Sequence, residues 1–183
     1  MAYKMIVLDL DGTLTNNKKE ITPRTYEALM EAQKKGIVVV LASGRPTYGI
    51  MPLAKQLKLA EYGGYILAYN GGKIMDCKSG DTVFNQELCP DLVPMLYDEA
   101  MKAGVQILTY QGDGIAATKA DDEYVEHEAF INKMPVVEYS DFKNQVEYPI
   151  NKCLIVGDPE PLHKLELKLA AEMEGKISVY RSA

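Results

Sequence analysis

Met5-Ile6-Val7-Leu8-Asp9-Leu10-Asp11-Gly12-Thr13 is the stretch on which the fold turns. Its first four residues form a continuous apolar run of strand length, read as a β-strand buried on both faces. Gly12 then breaks the strand. Residues i and i+2 of a strand point the same way, so the carboxylates of Asp9 and Asp11 can face one site at the strand's C-terminal end. In open α/β sheets that end is where ligands bind. Two carboxylates so placed repel one another and call for a cation, a proton or both. Magnesium suits them, being hard, oxygen-seeking and often shared between carboxylates and a phosphate. From the composition of the 183 residues, Asp-x-Asp-Gly-Thr is expected by chance at about 0.2% over the whole chain. A composition accident, or a capping turn rich in Asp and Gly, is therefore a poor explanation of it.

The surrounding sequence builds a βαβ unit around this strand. Thr22-Pro23 is an N-cap followed by proline at the first helical position. Tyr26, Leu29, Met30 and Gln33 recur at helical spacing, and Gly36 is placed to end the helix. Ile37 to Leu41 is a second buried strand, and Ser43-Gly44-Arg45 stands at its end. A right-handed crossover brings the ends of the two strands to the same edge. There the Ser43 hydroxyl could bond a phosphoryl oxygen, with help from amides of the helix after Pro46. Taken alone, Ser-Gly-Arg reads equally well as a helix N-cap. Ile50, Leu53, Ala54 and Leu57 mark the second helix, and Tyr65–Tyr69 a third strand. Asn70-Gly71-Gly72 is a turn, and Lys73–Phe84 a hairpin turning at Ser79-Gly80-Asp81.

Near Gln86 the texture changes. A helix over Val93, Leu96, Tyr97 and Ala100 ends at Gly104. Strands Val105–Tyr110 and Ile115–Thr118 flank a Gly112-Asp113-Gly114 turn, and Glu123–Ile131 reads as helix. Lys152–Val156 is a strand, Leu162, Leu165, Leu169 and Met173 mark a helix closed by Gly175, and Ile177–Arg181 is a last strand. This mixture suggests a separate α+β unit. The expected division is residues 1–84 and 85–183.

Charge and composition bound the rest. Twenty Lys and Arg against twenty-six Asp and Glu give a formal charge of −6, which argues against nucleic acid as a partner. The apolar fraction of 47% is enough for a packed core. No apolar run reaches the roughly 18 residues of a membrane helix. Met1–Lys4 lead straight into the first strand without a signal-peptide pattern, so the expected compartment is the cytoplasm. Cys77, Cys89 and Cys153 form no metal-binding pair and are expected as reduced, buried thiols. His127 is expected on a solvated helix face, Asp121-Asp122-Glu123 as a helix start, and Asp158 as a cap.

Asp9-Leu10-Asp11-Gly12-Thr13, Leu41-Ala42-Ser43-Gly44-Arg45 and Tyr69-Asn70-Gly71-Gly72 together resemble the haloacid dehalogenase-like (HAD) phosphohydrolases, in particular the Cof-type or type IIB branch that includes sugar-phosphate phosphatases. The resemblance implies an α/β fold: a Rossmann-like parallel-sheet core with an inserted α+β cap of type C2B. Only about ten residues separate Asp11 from Thr22, so the cap falls in the later position, beyond Gln86. It also implies Mg2+ as cofactor. Asp9 would be the nucleophile and a metal ligand. Asp11 would give the metal its main-chain carbonyl, and its side chain, with a raised pKa, would be the acid and base. Ser43 would hold the transferring phosphoryl group. Gly12, Gly44 and Asn70 would add contacts to it, and Arg45 would anchor substrate or structure.

The family's later lysine and second acidic motif do not occur before Ala183; Gly157-Asp158-Pro159-Glu160 lacks the second acid. Lys152 and Lys164 read as solvated residues of the cap. The chain is thus expected to correspond to the N-terminal part of the architecture, with its isolated form nearly inactive and prone to self-association through the flank of the sheet. The leading expectation for function is hydrolysis of small phosphorylated metabolites. The alternatives are a phosphomannomutase-like phosphotransferase, a non-catalytic ligand- or partner-binding fragment, and a receiver-type signalling domain, against which Gly12-Thr13 and the second unit count.

Overall fold

The computed structural model describes residues 3–181. The chain divides into two compact units, Met1–Gln86 and Glu87–Ala183.

In the first unit, β1 (Met5–Asp9), β2 (Val38–Ala42) and β3 (Tyr65–Ala68) run parallel, and β4 (Lys73–Asp76) and β5 (Thr82–Asn85) continue the sheet antiparallel, in the order β1-β2-β3-β4-β5. Three helices connect the parallel strands: α1 (Pro23–Lys34), α2 (Thr47–Gln56) and α3 (Leu59–Tyr62). The Thr22 hydroxyl accepts from the Thr25 amide at the start of α1, the cap the sequence calls for. Leu29 from α1, Ile50 and Ala54 from α2 and Leu59 from α3 pack in one core with Leu8, Val39, Leu41, Ile66 and Ala68. Those strand residues are cross-strand neighbours, Leu8 beside Leu41 and Leu41 beside Ile66, so they share one face of the sheet.

The opposite face explains a departure from expectation. Met5 and Val7 are 49% and 56% exposed, so β1 is not buried on both faces. It is an edge strand, paired only with β2 among the described residues. The buried side chains of α1, α2 and α3 all lie on the face of Leu8.

The second unit is built on a four-stranded sheet of order β8-β7-β6-β9, formed by β6 (Gln106–Gln111), β7 (Gly114–Ala117), β8 (Val136–Glu138) and β9 (Leu154–Val156). Its helices are α4 (Val93–Lys102), α5 (Glu123–Asn132), α6 (Phe142–Gln145) and α7 (Pro159–Glu172). Val93, Leu96 and Ala100 of α4, Phe142 of α6, and Leu165 and Leu169 of α7 bury themselves with Val105, Ile107 and Ala116. Asp122 caps α5 by accepting from the amides of Tyr124 and Val125. Asp158 precedes α7 as its N-cap residue, and its carboxylate accepts from the Tyr124 hydroxyl at 3.2 Å rather than from a helix amide.

Four expectations fail in this unit. Ile177–Arg181 forms no strand: Ile177 and Val179 pack on the helical core, outside any ladder. β8 and α6 are present where no element was expected. Lys152 is not a solvated residue: burial pushes its ammonium below the ordinary lysine value, the Glu128 charge opposes that, and the ammonium lies 5.9 Å from the Tyr110 ring centre. Lys164 is exposed and paired with Glu160. Cys77, Cys89 and Cys153 are all free; Cys89 is exposed rather than buried as expected, while burial pushes the Cys153 thiol up to about 12. No helix among the described residues is long and apolar enough to cross a membrane.

Candidate active site

Asp9 is the last residue of β1, beside Ala42 at the end of β2. The parallel pairing therefore sets Asp9 and the following Ser43-Gly44-Arg45 at one edge of the sheet. After Asp9 the chain turns tightly. The Leu14 amide donates to the Asp9 carbonyl, the Thr15 amide and hydroxyl donate to the Leu10 carbonyl, and Gly12 takes a φ of +78°, which favours glycine. Leu10 and Leu14 are buried and anchor the turn. Asp9 remains exposed, with no hydrogen bond or ion pair to its carboxylate among the described residues.

The second and third motifs are tied together through the main chain. The Ser43 amide donates to the Leu67 carbonyl, the Asn70 amide to the Ser43 carbonyl at 3.1 Å, and the Tyr69 amide to the Arg45 carbonyl at 3.0 Å. The Ser43 hydroxyl accepts from the Arg45 amide at 3.2 Å, which is the local turn that a cap reading also foresees. A Cβ on Gly44 would stand 3.1 Å from both terminal atoms of the Asn70 amide, so this glycine lets the two loops close on one another. Tyr69 and Asn70 both adopt left-handed φ, 53° and 58°, to make that turn.

Arg45 joins these loops to the first motif. It is only 8% exposed, and its guanidinium grips Asp11 in a fork: Nε donates to Oδ2 at 3.0 Å and Nη2 to Oδ1 at 2.6 Å. Lys19 completes the cluster, its Nζ donating to Asp11 Oδ1 at 2.7 Å. Sequence reasoning did not single out Lys19. It sits in a surface hairpin in which Asn16 accepts from the amides of Lys18 and Glu20 through its side chain, and from the Lys19 amide through its carbonyl. The only sequence signal was Asn16 as a turn residue. Nothing in the sequence showed that the turn carries Lys19 back over Asp11.

The electrostatics of Asp11 run opposite to the raised value that the resemblance implied. Burial works to raise its carboxyl, but the hydrogen bonds and charges of Arg45 and Lys19 prevail and hold it below the ordinary 3.8. In this arrangement Asp11 is an ionised acceptor. A carboxyl with a depressed native value contributes stability fully above the unfolded value and loses it as pH falls through the native one. The Asp11→Asn variant should therefore be less stable than the parent chain above about pH 4, with a gap that closes in more acid solution. Because Asp11 is 38% exposed, solvent screening limits the gap to about 1 kcal/mol. Urea midpoints across the acid range check this, and a gap that widens on acidification contradicts it.

No group of three or more acidic, His or Cys side chains positioned to hold a metal occurs among the described residues. The donor set at the end of β1 nevertheless fits a hard cation in kind. Among the described residues the Asp9 carboxylate has no competing partner, and carboxylate and main-chain oxygens are the donors such an ion prefers.

A family profile described as haloacid dehalogenase-like hydrolase matches residues 6–183. The crystal structure of a haloacid dehalogenase-like hydrolase from Bacteroides thetaiotaomicron is 49% identical, with a TM-score of 0.93 over 100% of this chain and 68% of its own. YxeH of Bacillus subtilis (strain 168), provisionally named a phosphatase, is 28% identical over 186 residues, 99% of this chain and 67% of its own length. The HAD subclass IIB sugar phosphatase BT4131 is 20% identical with a TM-score of 0.71, over 88% of this chain and 62% of its own, a likeness of fold alone. The chain thus spans about two thirds of the length of the first two of these proteins.

Proposed function

We propose, from the premise that this chain belongs to the haloacid dehalogenase-like hydrolase family and is a HAD-type phosphatase, that it performs magnesium-dependent phosphoryl transfer from small phosphomonoesters, sugar phosphates foremost. The observation that carries this reading is the convergence of three motifs at one sheet edge. The Asp9 carboxylate has no partner there among the described residues, and the fork of Arg45 bonds the second motif to Asp11 of the first.

The Asp9 carboxylate would attack the phosphorus of the ester. The bond from phosphorus to the ester oxygen breaks, the alkoxide leaves and takes a proton, and an aspartyl phosphate remains. Water then attacks that phosphorus, gives up a proton, and releases inorganic phosphate, restoring Asp9. Asp11, ionised between Arg45 and Lys19, is suited to accept the proton of the attacking water; to protonate the leaving alcohol it must first lose some of that cationic support. The Ser43 hydroxyl and the Asn70 amide group would orient the phosphoryl oxygens. Gly12 makes the turn after Asp9, and Gly44 lets its loop close on Asn70, which a side chain there would meet. The Asp9 carboxylate and the Asp11 main-chain oxygen would hold a magnesium ion, whose chemistry is to neutralise charge on the phosphoryl group. Arg45, buried and forked onto Asp11, serves structure in this scheme rather than substrate.

The unit Glu87–Ala183 would carry substrate selection, and the exposed β1 edge would offer a surface for self-association. The test is turnover of an aryl phosphate by the complete gene product, with magnesium and with a chelator. Hydrolysis that chelation stops and magnesium restores supports the reading; chelator-insensitive hydrolysis or none overturns it. A panel of phosphorylated metabolites then separates net release of phosphate from transfer between hydroxyls.

A further inference from the structure

Asp11 has two cationic partners of different kinds. Arg45 is buried, bonds through two nitrogens, and has its main chain tied to Ser43 and Tyr69. Lys19 is 36% exposed, bonds through one atom, and hangs from a surface hairpin over the motif. A lysine ammonium is a compact charge on a flexible stem that re-aims readily, whereas a forked guanidinium does not. The side-chain charges of Asp9, Asp11, Arg45 and Lys19 sum to zero, and of the two cations held on Asp11 the exposed, singly bonded Lys19 is the one free to turn toward an entering phosphoryl dianion.

We propose that Lys19 is an exchangeable clamp: it holds Asp11 Oδ1 while the site is empty, and its ammonium moves to the oxygens of the phosphoryl group when substrate or inorganic phosphate enters. The inference rests on the phosphoryl-transfer reading of the same site and adds a residue to it. The hairpin gives the stem its reach: the Asn16 side chain pins the amides on either side of Lys19, and the Lys19 backbone holds a left-handed φ of 61°. Loss of the Lys19 bond leaves Asp11 seated by the Arg45 fork, so exchange need not disorder the carboxylate.

The test is a phosphorus-31 NMR titration of inorganic phosphate against the 183-residue chain with magnesium present, using amide spectra to verify the fold. The parent chain should bind phosphate saturably. Lys19→Met should weaken that binding about tenfold, the contribution of one charge-assisted hydrogen bond in a half-exposed site. Lys19→Arg should restore it to within about twofold, and Lys133→Met, which removes an exposed left-handed lysine in the other unit, should leave it unchanged. Affinity that is equal or tighter in Lys19→Met overturns the proposal, because Lys19 would then serve only to neutralise Asp11. So does the absence of saturable binding in the folded parent chain. Turnover is judged separately. Lys19-dependent phosphate binding without turnover sinks the hydrolase reading alone, and turnover with a KM indifferent to Lys19→Met sinks the clamp alone.

Discussion

Asp9→Asn in the complete gene product is expected to lower turnover by on the order of 10⁴-fold or more, because an amide oxygen at that position cannot form the acyl phosphate. The fold should persist. Asp9 is exposed, its carboxylate holds no hydrogen bond among the described residues, and the main-chain bond from Leu14 to its carbonyl is indifferent to the side chain. Amide spectra or thermal unfolding within a few degrees of the parent would confirm that chemistry alone was removed. Retention of substantial hydrolysis by the folded variant would remove Asp9 from its role.

The second large effect falls on Asp11. Asp11→Asn should lower kcat by roughly 10²–10⁴-fold, the usual worth of a positioned acid or base. Unlike Asp9, Asp11 is engaged on both oxygens, so its variant also leaves the Arg45 guanidinium with a neutral partner in a buried place. A loss of activity could therefore come from misplaced loops rather than from the missing base. A leaving-group series separates the two. If Asp11 moves protons, esters of acidic phenols, which need no protonation on departure, should lose less than alkyl esters. Equal losses across the series would assign the effect to the loops.

Much of the site was legible because it is local. Asp9 and Asp11 share a strand end, and the pairing of β1 with β2 sets Ser43 beside them through the parallel register alone. The longer helices were legible through spacing and caps, as at Thr22 and Asp122, whereas the four-residue α3 and α6 were not. What sequence could not convey is what lies against each element. Met5-Ile6-Val7-Leu8 specifies a strand but not its neighbours, and in this chain only one of its faces is covered. Ile177–Arg181 alternates in a strand-like way, yet Ile177 and Val179 serve the helical core from an unpaired segment. Lys152 looks like any surface lysine until the ring of Tyr110 is placed under it. The electrostatic state of Asp11 was misjudged for the same reason. The nearby carboxylate is written in the sequence, whereas Arg45 and Lys19 reach Asp11 only through tertiary closure.

The central claim is that Asp9 becomes covalently phosphorylated. Its most direct measurement is to quench the complete gene product during turnover of an aryl phosphate, reduce the acyl phosphate with borohydride, and map the modified residue by peptide mass spectrometry. The account predicts homoserine at position 9 and its absence from the Asp9→Asn variant. Reduction at another carboxylate, or undiminished turnover with position 9 never modified in a quench fast enough to capture the intermediate, would contradict it.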